Sequence, residues 1–78
     1  MTMFEDIEFG DKYVTVDGEM MVFVYFFADH LVFIDSKGNK YEYLKDGICV
    51  TQKIEIFDGA SVFLSEEEKI MKTIVGRY

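Results

Sequence analysis

Few side chains in this sequence have the chemistry to make or break bonds, and their spacing argues against that use. The one histidine, His30, and the one cysteine, Cys49, lie in different segments. Cys49 stands between Ile48 and Val50 with no base nearby in sequence to hold a thiolate, so it reads as a buried small hydrophobe. Asp29-His30 with Asp35 is the nearest approach to a metal-ligand set, but a histidine in a turn between strands is ordinarily a solvated residue. The spaced cysteines and histidines of zinc sites are missing, as is a glycine-rich phosphate cradle. Asp6 with Glu8, and Asp17 with Glu19, could pair carboxylates, because alternate positions of a strand share a face. Like charges on a wet hairpin are the simpler reading. The expectation is a protein without catalytic residues, metal or cofactor.

The carboxylates matter collectively instead. The chain carries a net charge of −7, and all of it lies in residues 1–36, where eight acids face Lys12 alone; residues 37–78 balance seven acids with seven bases. Such a surface repels phosphate backbones and anionic membranes, which argues against direct nucleic-acid or membrane binding and favours a basic protein as partner. The candidate partner-binding residues are Glu5, Asp6, Glu8, Asp11, Asp17, Glu19, Asp29 and Asp35, interspersed with Tyr13 and Tyr25 as exposed aromatics. A charged rim that only keeps an apolar domain in solution is the plainer alternative.

These residues must be positioned by a small scaffold. A chain of 78 residues makes one domain, 1–78, and one this size buries only about 60% of its unfolded surface. Thirteen aromatics make a dense core possible. The longest apolar run, Met20 to Phe27, is far short of the roughly 20 residues of a membrane-spanning helix. Its Val, Phe and Tyr content favours a strand, and a strand apolar at both parities belongs where both faces are covered. It is expected to be the long, bent central strand. Covering both faces is hard in so small a monomer, so Met20, Met21, Phe26 and Phe27 are candidates for a homo-oligomer interface, with a structural or small-ligand-binding role as the alternative function.

Around that run the chain reads as short strands between tight turns. Residues 4–9 fit either one helical turn or an irregular segment. Asp17-Gly18, Asp46-Gly47 and Asp58-Gly59 are hairpin signals of the type I′ kind, in which both central residues take positive φ; Ser36-Lys37-Gly38-Asn39 is a further turn. Strands are expected over about 12–64. Ser65 with Glu68 forms a capping box that opens a helix over about 66–75, its apolar face Ile70, Met71, Ile74 and Val75, with Gly76 as its stop. The fold class is therefore mainly β: a small antiparallel barrel of five to six strands with one C-terminal α-helix.

The stretch from Gly10 to Glu19, followed by the apolar strand and by Asp35-Ser36-Lys37-Gly38-Asn39-Lys40-Tyr41, resembles small SH3-like barrel proteins of bacteriophage and mobile-element origin, over about residues 9–50. That resemblance implies a binding module or an antagonist of a host protein. Glu19 stands where a basic residue is expected after Asp17-Gly18, which weakens a nucleic-acid-binding carry-over. The sequence thus reads as a non-enzymatic acidic interaction module, an inhibitor covering the basic, nucleic-acid-binding surface of a host defence or regulatory protein. No secretory or transit signal opens the chain, so a cytoplasmic setting, the host cytoplasm for a phage protein, is expected.

Overall fold

A computed structural model describes residues 4–55 and 59–78. Its strands are β1 (Lys12–Thr15), β2 (Met20–Phe27), β3 (His30–Ile34), β4 (Lys40–Tyr43), β5 (Cys49–Ile54), β6 (Ser61–Phe63) and β7 (Ile74–Arg77), with α1 (Glu66–Met71) between the last two. All seven belong to one antiparallel sheet of order β6-β5-β4-β3-β2-β1-β7, a meander whose last strand returns beside the first. Against the expected five to six strands, the described residues form seven, and β6 and β7 remain as edges of an open sheet. The sheet nevertheless curls. The Ile74 amide donates to the Gly47 carbonyl at 2.8 Å, tying the start of β7 to the turn between β4 and β5.

The extra strand comes from a helix that ends early. The capping box forms as the sequence requires, with Ser65 Oγ accepting from the Glu68 amide, but α1 stops at Met71 with Lys72 as its C-cap. Ile74 and Val75 belong instead to β7, where Ile74 pairs with Thr15 and Gly76 with Val14. Two β-branched residues in succession lose rotamer freedom in a helix and little in a strand, and the pairing places Ile74 in the core. No residue of α1 is buried, so the expected apolar helix face is absent.

The turns share one geometry. Gly18 donates to Thr15, Gly38 to Asp35 and Gly47 to Leu44, each closing a four-residue turn. Only the glycines take positive φ, at 83°, 86° and 87°, whereas type I′ would require it of the preceding residue too. The expected third Asp-Gly turn falls partly on residues 56–58, outside the described range.

The core lies on one face of the sheet and is largely aromatic. Phe33 is its hub, with ring centroids 5.7 Å from Phe4, 5.7 Å from Tyr13, 5.4 Å from Phe23 and 5.2 Å from Tyr43. Residues 4–9 are an irregular segment that drops Phe4 onto this hub, with Ile7 donating back to the Phe4 carbonyl. β2 occupies the range expected of it and bends at a register shift between Phe23 and Tyr25. The expected burial on both faces is not met: Met21 and Phe23 are buried on the core face, Met20, Val22 and Val24 are half-covered on the other, and Tyr25, Phe26 and Phe27 are exposed. Among the described residues no helix is long and apolar enough to cross a membrane.

Three stability measurements check this arrangement. Phe33→Ala is expected to cost about 3–5 kcal/mol, a large fraction of the stability of a domain this size, read as a lowered midpoint in a denaturant titration. Gly18→Ala, forced into positive φ, should lose about 1–2 kcal/mol. Gly76→Ala, in open space and without positive φ beside the register shift of β7 against β1, should gain about 0.5–1 kcal/mol, the reverse of what a helix-stop glycine would give.

Candidate functional site

The carboxylates expected to act together separate into three groups. Asp35 is buried and holds the turn between β3 and β4: it accepts from the Lys37 amide at 2.9 Å, the Asn39 amide at 2.9 Å, Asn39 Nδ2 at 3.1 Å and the Tyr41 hydroxyl at 3.0 Å. Burial opposes its charge, but these four donors outweigh it and hold the carboxyl below its usual range. Asp35 therefore belongs to the scaffold and leaves the partner-binding set.

Asp17 and Glu19 form the second group. Lys72, just past α1, donates to Asp17 Oδ2 at 3.0 Å and to Glu19 Oε2. Thr15 Oγ1 bonds to Asp17 and accepts from the Glu19 amide at 3.1 Å. Burial opposes the Asp17 charge, and the Thr15 and Lys72 donors overcome it, lowering the carboxyl. The Lys72 ammonium, in turn, loses from burial and gains more from the two carboxylates, which raise it. Together the three fasten the β1–β2 hairpin to the helix end, so two of the expected acids are already neutralised.

The third group is free of such partners. Glu5, Asp6, Glu8 and Asp29 are exposed and make no ion pair among the described residues. Asp11 lies between the groups, its Oδ2 accepting from the Glu8 amide at 2.9 Å and standing 3.9 Å from Arg77. The backbone brings this segment to β2, since Gly10 donates to the Phe23 carbonyl and Phe23 to the Asp11 carbonyl, each at 2.9 Å. Beyond Phe23 the strand carries Tyr25, Phe26 and Phe27, which are 44%, 58% and 59% exposed, and Asp29 turns the hairpin.

Two more expected site residues are buried besides Asp35. Tyr13 is fully enclosed in the core, 5.1 Å from the Phe4 ring and under the Arg77 guanidinium, so it presents nothing to a partner. Met21 is equally enclosed and leaves the proposed oligomer interface, whereas Met20 is half-buried. The reason is parity: Met21 and Tyr13 pair directly across β1 and β2 and point to the core face together. Sequence reasoning also passed over Phe9, at 79% the most exposed large apolar residue among the described residues. Its signal was available, since it stands between Glu8 and Gly10-Asp11, where no strand can bury it.

The register shift in β2 sorts the exposed aromatics by face. Phe26 pairs with buried Leu31 and touches Phe23, ring to ring at 5.0 Å, on the core side; Tyr25 and Phe27 pair with Val32 and His30 on the other. His30 Nδ1 lies 3.3 Å from Glu42 on that outer face, and Lys40 Nζ lies 3.5 Å from the Tyr25 hydroxyl. On the core side Phe4, Phe26, Leu31 and Lys45 line a half-open cleft of about 270 Å³. Among the described residues no three His, Cys, Asp or Glu side chains are grouped to hold a metal. Burial pushes the Cys49 thiol up to about 11, leaving it protonated at neutral pH and unsuited to attack. Tyr43, its partner across β4 and β5, is also raised by burial, and its side chain stands within hydrogen-bonding reach of the Cys49 thiol. No protein-family model, curated protein or solved structure matches the chain.

Acid should remove the contribution that Asp35 makes to stability. Its carboxyl is lower in the folded than in the unfolded chain, so its contribution is complete above the unfolded value, near 4, and is lost as pH falls through the folded one. Thermal unfolding followed from neutral pH into acid should show that loss. Asp35→Asn should flatten the acid limb and lower stability at neutral pH by about 1–3 kcal/mol.

Proposed function

We propose that the chain is a non-enzymatic binding module that docks a basic protein on the end of the β2–β3 hairpin. The observation that carries the reading is the exposure of Tyr25, Phe26 and Phe27 beside four acids with no ionic partner among the described residues, Glu5, Asp6, Glu8 and Asp29. Exposed rings give a docking surface its apolar area, and unpaired charge of one sign steers an oppositely charged partner and makes association sensitive to salt. Asp17, Glu19 and Asp35 are engaged internally and serve to stiffen the platform.

The return of β7 to β1 and the bond from Ile74 to Gly47 favour an SH3-like barrel, in which the curled sheet is nearly closed. With the resemblance to phage-encoded SH3-like proteins, this supports an inhibitor acting in the host cytoplasm, where it occupies a nucleic-acid-binding surface on a defence or regulatory protein. A second reading has its own observation. The edge strand β6 exposes Val62 and Phe63 within the uncharged stretch 59–65, where a second copy could pair without electrostatic penalty.

The readings part on salt. Capture of a basic host protein should weaken steeply as ionic strength rises and should be lost on combining Glu8→Lys with Asp29→Lys, two exposed changes expected to leave the fold intact. Retention of the partner by that variant in high salt would end the docking proposal. A solution mass above the 9.1 kDa of the chain that persists in high salt would favour the oligomer.

A further inference from the structure

We infer that the cleft between Phe4, Phe26 and Leu31 is the anchor pocket of this docking surface and takes one large apolar side chain, of Trp or Phe size, from a cationic segment of the partner. The inference rests on the docking reading above and names what the partner must carry. At about 270 Å³ the cleft falls just short of the roughly 300–1,000 Å³ of sites for drug-sized ligands, so a single bulky side chain suits it better than a cofactor.

Its walls are set before binding. Phe4 is buried against Tyr13 and Phe33, Leu31 is almost fully enclosed, and Phe26 leans on Phe23. A side chain entering between such walls orders little that is not already ordered, which is the condition for a hot spot. Phe26 is also the wall left 58% exposed, an apolar area that an inserted ring would cover.

The charge around the cleft selects the flanking residues. Phe4 is followed directly by exposed Glu5 and Asp6, and the hairpin that carries Phe26 and Leu31 turns at exposed Asp29. Lys45 is the one cation of the lining, and its aliphatic stem can serve as wall while its charge stays in water. An apolar side chain flanked by Arg or Lys therefore meets complementary groups at both levels.

Two amidated pentapeptides, Arg-Arg-Trp-Arg-Arg and Arg-Arg-Ala-Arg-Arg, titrated against the intact chain by NMR, test this. The Trp peptide should bind about tenfold tighter, equivalent to about 1.4 kcal/mol, and shift the Leu31 and Lys45 resonances. Phe26→Ala should abolish that preference while leaving the Ala peptide's affinity unchanged. Phe27→Ala, on the opposite face, should keep the preference, and Lys45→Glu should strengthen both peptides. Equal binding of the two peptides, or loss of the preference with Phe27→Ala as complete as with Phe26→Ala, would overturn the anchor pocket and leave charge-driven docking standing. Binding of neither peptide would overturn the docking reading and the pocket with it.

Discussion

The structure depends on the packing of rings around Phe33. Four aromatic neighbours, drawn from β1, β2, β4 and the opening segment, meet it with centroids between 5.2 and 5.7 Å apart, and the Tyr13 and Tyr43 contacts are edge-on. Edge-to-face packing aligns the positive rim of one ring with the negative face of another and adds to the area buried. In a domain too small for a deep aliphatic core, these rings set which face of each strand turns inward. Tyr13, Met21, Phe23, Leu31, Tyr41 and Tyr43 follow from that choice.

That inward face divides the charged residues into structural and available ones. Asp35 is held beneath the β3–β4 turn by four donors, and Asp17 and Glu19 are bound to Lys72. Ionised groups with several donors each stiffen the sheet at its turns, and their charge is spent locally. What remains uncompensated is the segment before β1, apart from Asp11 beside Arg77, and the tip of the β2–β3 hairpin. The potential felt by an approaching partner is thus more local than a net charge of −7 implies.

The central strand carries the tension between folding and recognition. Its first half is buried on the core side and partly covered on the other, whereas its last three residues stand clear of the sheet's cover. The register shift after Phe23 makes this division, bending the strand and sending Phe26 to one face while Tyr25 and Phe27 take the other. A run of three aromatics left this exposed keeps apolar area in water and invites association, which is why it draws attention as a contact surface.

Local chemistry alone determined a good part of the molecule. The eight residues of β2, the glycine turns, the Ser65–Glu68 capping box, the buried Cys49 and the all-antiparallel class are written in neighbouring residues, because each rests on propensity, φ requirements or hydrogen bonds within a few positions. Tertiary structure decided the rest. Helical periodicity could not separate Ile74 and Val75 from Ile70 and Met71, since only pairing with β1 makes a strand of them. Nor could spacing show that Tyr13 and Met21 face the rings, that Lys72 reaches back to Asp17 and Glu19 across most of the chain, or that Phe26 stands beside Phe4 in a cleft. Those outcomes depend on register and curl, which are settled only when residues far apart in sequence compete for the same inward face.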